Sequence, residues 1–216
     1  MIKVFIRADA SIEISSGHIM RCLTLAQELI KENVSVVFIS RKHNGNLNHL
    51  ILRKGFELIE LEKPKLKIKS KIKNNHNIDD YSLWLGVSEM RDAQDTINAL
   101  NNDKPDWMIV DHYALGKTWE NYLRPYVSNI MVIDDLANRQ HDCDILLDHN
   151  WFENLESRYE GILQRSCTKL LGPQYALLRP EFTIAKKTIN IRNDKIKRIF
   201  IFFGGSDRYN LTSITL

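Results

Sequence analysis

Short apolar runs separated by amphipathic stretches of helical length dominate this chain, and that alternation restricts the available folds more than any other feature. Lys3–Arg7, Val34–Ser40, Trp107–Val110, Asn129–Ile133, Asp144–Leu147 and Arg198–Phe203 read as strands. Several are apolar on both faces, as in a parallel sheet covered by helices on each side. Between the first two runs, Ile19, Cys22, Leu23, Ala26, Leu29 and Ile30 recur at helical spacing, and Val87, Met90, Ala93, Ile97 and Leu100 repeat it. Strands alternating with helices predict an α/β fold, a Rossmann-like doubly wound parallel sheet.

Composition narrows the functional classes. Thirty Lys and Arg against 27 Asp and Glu leave a net charge of +3, too balanced to point to nucleic acid. The longest apolar run is about five residues, against roughly twenty for a membrane span. The first residues show no long apolar segment followed by a small-residue cleavage site. Cys22, Cys143 and Cys167 form neither an even set nor a CxxC pair, which fits a reducing compartment. A cytoplasmic protein is expected, with no membrane or nucleic-acid partner; no pattern encodes an oligomeric state.

Two stretches interrupt the alternation. Lys63 to Lys73 carries Lys at every second position and reads as a solvated edge strand or loop rather than a polyanion patch, since no aromatics interleave. Lys186 to Lys197 is polar and aperiodic and reads as a linker. The expected organisation is a catalytic domain over 1–185, a linker over 186–197, and the start of a second domain over 198–216. A strand, a Gly-rich turn and one short helix bury no core alone.

Polar clusters follow the strands where an α/β sheet binds ligands. Arg7 to Ser11 follow the first strand, Asp111-His112-Tyr113 the third, Asp134-Asp135 the next, and Gly204-Gly205-Ser206-Asp207 the last. The loop from Ile12 to Gly17 leads into a helix starting near His18. Its N-terminal N–H groups suit phosphate or sugar oxygens. The helix field, and Arg21 one turn on, would keep His18 neutral and able to act as a base. The competing reading is a capping or packing histidine. His141 to Asp144, with Asp148 and His149, offers metal-ligating residue types without metal-binding spacing, so no metal is expected. Asp134 and Asp135 leave a strand toward opposite faces and suit capping or a ligand hydroxyl better than a facing carboxylate pair.

The blocks RADAS…GHIMRCLTLA, WLGVSE, DHYALGKTWE, VIDDLANRQHDCDILLDHN, LGPQYALLRPEF and FFGGSD together resemble the UDP-2,4-diacetamido-2,4,6-trideoxy-β-L-altropyranose hydrolases of pseudaminic acid biosynthesis, in order from residue 4 to about 212. The resemblance implies the N-terminal half of a GT-B-like two-domain fold. It also implies metal-independent hydrolysis at the anomeric carbon without a cofactor, releasing UDP and free sugar with inversion, in polysaccharide biosynthesis or flagellin glycosylation. His18 matches the family's proposed base and Tyr113 an active-site tyrosine. The FFGGSD loop matches the start of the UDP-binding side. Ser15 stands where the family's Ile-Gly-x-Gly-His loop has its first glycine.

On this reading His18 activates water, while Tyr113 and Asp111 position the water or the sugar. Gly17, Arg21 and His112 join the substrate site, and Arg7 and Asp9 bind sugar substituents or brace the loop. Gly204, Gly205, Ser206 and Asp207 meet the diphosphate through backbone N–H groups. A GT-B glycosyltransferase and an inactive fragment are the alternatives.

Overall fold

The computed structural model describes residues 1–64, 81–164, 166–188, 196, 198–204, 207 and 210–216. Strands β1 (Lys3–Ala8), β2 (Ser35–Arg41), β3 (Glu57–Leu61), β4 (Trp107–Asp111), β5 (Asn129–Ile133), β6 (Ile145–Asp148) and β7 (Thr168–Leu171) form one sheet. Its order is β3-β2-β1-β4-β5-β6-β7, and every neighbouring pair is parallel. The described α-helices are α1 (Gly17–Leu29), α2 (Asn48–Arg53), α3 (Glu89–Leu100), α4 (Lys117–Leu123), α5 (Pro180–Lys187) and α6 (Leu211–Thr215), with short 3-10 turns between elements.

Strand periodicity assigns each helix a face. Val4, Ile6 and Ala8 of β1 and Val36 and Phe38 of β2 pack with Ile19, Cys22, Leu23 and Ala26 of α1 and Ile51 of α2. The intervening Phe5, Val37 and Ile39, with Met108 and Val110, pack with Ala93 and Leu100 of α3 and Trp119 and Leu123 of α4. Alternate residues thus feed two cores on opposite sides of one sheet, the doubly wound Rossmann-like arrangement. Burying Trp119, fully inaccessible, contributes about 3 kcal/mol or more. In α3 the inward face is Asp92, Ala93, Thr96 and Leu100, while Met90 of the expected stripe points outward.

Five expected strands fall in the sheet, but Arg198–Phe203 does not. Residues 198–203 form no ladder, and Ile199, Phe200 and Phe202 are exposed. Apolar β-formers become a strand only where a neighbour supplies hydrogen bonds, and β3 and β7 hold the sheet's edges. The sequence reading missed β3, whose Glu-bearing ELIEL pattern is half exposed, and the four-residue edge strand β7. Helix α5 runs through positions 185 and 186. Of the lysine-rich stretch, Lys63 and Pro64 are described, Lys63 donating to Asn44 at 2.8 Å, while 65–73 lie outside the described residues. Most of the expected linker, 189–195 and 197, also lies outside them.

Candidate active site

The strand order creates a crevice. Successive strands run outward from β1 to β3, and the chain then returns to the other side of β1 at β4. Where the order reverses, the loops leaving the two central strands diverge and leave an opening. A cleft of about 490 Å³ lies there, lined by Ser15, Gly17, His18, Arg21, Trp84, Tyr113, His149 and Gly204 among others.

The first loop is shaped by local hydrogen bonds. The Ser11 hydroxyl accepts from the Glu13 and Ile14 N–H groups at 3.0 and 2.9 Å, and the Ser15 N–H donates to the Ser11 carbonyl at 2.8 Å. Ser15 closes this turn at φ 69°, the left-handed region where glycine is least strained. A serine here takes the conformation that glycine most readily allows. Gly45, itself at φ +72°, packs on the loop so closely that a Cβ would lie 2.8 Å from Ile12 Cγ1. The turn delivers His18 as the second residue of α1.

His18 is nearly buried, and its Nδ1 lies 2.5 Å from Asp111 Oδ1 at the end of β4. Arg21 grips the same carboxylate from one helical turn on, Nε to Oδ2 and Nη2 to Oδ1, both at 2.6 Å. Burial alone would raise the Asp111 pKa; His18 and Arg21 outweigh it and hold the carboxyl well below its ordinary range. An ionised Asp111 accepts the Nδ1–H proton, which leaves Nε2 as the proton-accepting nitrogen. The Arg21 charge is paired with Asp111, and its Nη2 lies 3.4 Å from His18 Nδ1, so the guanidinium helps to orient the pair.

Aromatic rings roof the dyad. Tyr113 meets His18 edge-on at 4.6 Å between centroids, Trp84 stacks on Tyr113 at 5.8 Å, and Tyr81 contacts both. The Tyr113 hydroxyl donates to Asp135 at 2.6 Å, and Asn150 donates to the other Asp135 oxygen at 2.8 Å. Burial first, then Asp135, raises the Tyr113 pKa, so the phenol stays protonated. Asp134 turns inward instead, accepting from the Ala137 N–H and pairing with Arg139. The adjacent carboxylates thus diverge as the strand alternation predicts.

Other expected site residues lie in a layer behind. Arg7 is wholly inaccessible and forks onto Asp9 and Asp92; Asp92 also accepts from Arg41 and Trp119 Nε1. Asp9 accepts from Arg7 and from the Arg41 N–H at 2.7 Å. Arg7 and Asp9, expected either to bind sugar substituents or to brace the loop, are both wholly inaccessible and do not line the cleft. His112 is also buried: its Nδ1 accepts from the Ala114 N–H, and its Nε2 lies 3.5 Å from Asp9. Burial lowers its pKa to about 3, so it is a neutral packing residue behind His18.

Gly204 borders the cleft, and Gly205 and Ser206 lie outside the described residues. Asp207 accepts from the Leu211 and Thr212 N–H groups at the start of α6. His141 pairs with Glu120, while Asp142 and Asp144 pair with Arg124. Among the described residues no group of three or more His, Cys, Asp or Glu is placed to hold a metal ion, and no helix is long and apolar enough to cross a membrane. Sequence reasoning passed over Trp84, Tyr81 and Asn150 and weighed His149 only as a metal ligand. Their common signal is position after a strand or just before a helix on the same sheet edge.

No protein-family model matches the chain. It is 28% identical over 210 residues to the UDP-2,4-diacetamido-2,4,6-trideoxy-β-L-altropyranose hydrolase of Campylobacter jejuni, a match covering 97% of this chain and 63% of that protein. It is 27% identical over 213 residues to an uncharacterised protein of Methanocaldococcus jannaschii, covering 97% of this chain and 38% of that one. Among solved structures it is similar to Acinetobacter baumannii MurG, with 8% identity, a TM-score of 0.47, and coverage of 78% of this chain and 44% of MurG. The chain therefore spans less than two thirds of the length of the curated relatives it matches, one of them named as a UDP-sugar hydrolase.

Proposed function

We propose that this chain carries the catalytic half of a nucleotide-sugar hydrolase that cleaves a UDP-linked 2,4-diacetamido-2,4,6-trideoxy sugar at its anomeric carbon. The observation that carries this reading is the His18–Asp111 pair, 2.5 Å apart, in the cleft where the strand order reverses. The named Campylobacter relative, aligned over nearly the whole chain, supports the same reaction class.

In this mechanism His18 Nε2 takes a proton from water, and Asp111 stabilises the imidazolium that forms. The water oxygen bonds to C1 as the bond from C1 to the diphosphate oxygen breaks, and UDP departs with the electron pair. Tyr113, held by Asp135, positions the sugar or the water. Backbone N–H groups at Gly204, Gly205 and Ser206 receive the diphosphate, and residues 198–216 begin the UDP-binding domain of a GT-B-like pair. Residues 1–185 are the catalytic domain in this scheme, with 186–197 as the linker.

The test is UDP release from the UDP-sugar by the complete gene product with no acceptor present. The unmutated protein is expected to release UDP, and His18→Asn to lose about two to four orders of magnitude in turnover. Release only on adding an acceptor would convert the reading to glycosyl transfer. Near-normal turnover by His18→Asn would remove His18 from the chemistry.

A further inference from the structure

His149 has no part in the proton transfer assigned to His18, yet it stands in the same cleft. It follows β6 directly, beside the Asp135–Asn150–Tyr113 cluster gathered from the ends of β5, β6 and β4. Its Nδ1 is buried and has no hydrogen-bond partner among the described residues. A polar atom taken from water without a partner is destabilising, and such atoms are rare in native proteins. The cost is relieved if a ligand supplies the missing bond.

The surroundings indicate which part of a ligand does so. Burial and then Arg21 push the His149 pKa down, outweighing Asp135, Asp111 and Asp148, so the ring is uncharged near neutral pH. An uncharged imidazole suits a hydroxyl or an amide, whereas a diphosphate is better matched by cations. Trp84 and Tyr113, stacked on each other, line the same cleft. Aromatic faces accept the C–H face of a pyranose or a methyl group. A cleft lined both by an aromatic pair and by an imidazole with an unsatisfied nitrogen suits a sugar bearing both apolar and amide substituents.

We propose that His149 is a specificity-determining residue, its Nδ1 bonding a hydroxyl or acetamido group of a pyranose stacked against the Trp84–Tyr113 wall. This rests on the nucleotide-sugar reading above and names the part of the substrate that the loop after β6 recognises.

The test is calorimetric titration of the complete gene product with two probes, the UDP-2,4-diacetamido-2,4,6-trideoxy sugar and UDP alone, in a His18→Asn background that suppresses turnover. His149→Phe keeps the ring volume and removes the nitrogen. It is expected to weaken UDP-sugar binding about tenfold or more while leaving UDP binding within about twofold. His149→Asn, whose amide stands near the Nδ1 position, is expected to recover most of the loss, and His149→Gln, whose amide reaches the Nε2 position, is not. Equal weakening toward both probes, no weakening toward either, or an Asn variant as impaired as the Phe variant would each overturn the proposal. UDP release by the unmutated protein tests the hydrolase reading separately. Release with the wrong His149 pattern sinks only the present inference, whereas a UDP-sugar bound no more tightly than UDP, with no release, sinks both.

Discussion

At the scale of single residues, one carboxylate decides what the cleft can do. Asp111 is wholly inaccessible and is shared by an imidazole and a guanidinium, so its charge is fixed by its neighbours instead of by solvent. Asp111→Asn removes the charge that steadies a protonated His18 and the acceptor that sets its tautomer. Turnover is expected to fall by about two to four orders of magnitude with little change in KM. Arg21 would keep only Asp135, at 3.8 Å, as an acidic partner, so stability should also drop, by about 3 kcal/mol. Urea unfolding beside UDP-release kinetics separates the two effects. Full turnover in a destabilised Asp111→Asn protein would show that His18 works without its partner.

At the scale of elements, the site depends on contacts between helices distant in sequence. Helix α4 begins at Gly116, which has no side chain to cap it. The carboxylate of Glu89, the first residue of α3, instead accepts from the Gly116 and Trp119 N–H groups, both at 3.1 Å. A negative group at a helix N-terminus satisfies orphan donors and meets the positive end of the dipole. Glu89→Ala is expected to cost about 1 kcal/mol, lowering Tm by about 2–4 °C, whereas Glu89→Gln keeps an acceptor and recovers part of it. Differential scanning calorimetry distinguishes the three proteins; an unchanged Tm in Glu89→Ala would mean that water caps α4 equally well. Three residues further along α3, Asp92 ties together Arg7 of β1, Arg41 of β2 and Trp119 of α4. That brace holds the strand ends from which the His18 loop departs.

At the scale of the whole molecule, buried ionisable groups make stability depend on pH in two separate windows. His112 is held neutral down to about pH 3, while the unfolded chain takes a proton there at its ordinary value near 6.5. Between those limits the unfolded state binds a proton that the native state refuses. Stability should therefore fall on acidification at about 1.4 kcal/mol per pH unit from this group. Asp9, Asp92 and Asp111 act in the same sense over a lower window, each with its pKa lowered despite burial. Their contribution is complete above about pH 4 and is lost below it as protonation begins in the unfolded chain. His112→Asn, which retains an acceptor for the Ala114 N–H, is expected to flatten the decline between pH 6 and 4 and leave the steeper loss below 4. Urea midpoints at pH 7, 6, 5 and 4 provide the comparison; an unchanged slope would place that proton uptake elsewhere.

The apolar periodicities alone determined the sheet class, the doubly wound character, and the two long helices α1 and α3, because strand and helix periods are local properties of the chain. They also located the strand tips where His18, Asp111 and Tyr113 collect. Local pattern could not assign the elements that exist only through their neighbours. β7 is four residues paired to β6, and the apolar run at 198–203 has no strand beside it among the described residues. Nor could it separate Arg7, Asp9 and His112 from the cleft lining, since a charged residue after a strand reads the same whether it faces a ligand or a buried partner. Asp92, 85 residues from Arg7 in the chain, makes that distinction by drawing the guanidinium inward. A buried charge is stable only beside its counterpart, and which counterpart comes within reach is fixed by the packing of α3 against the sheet.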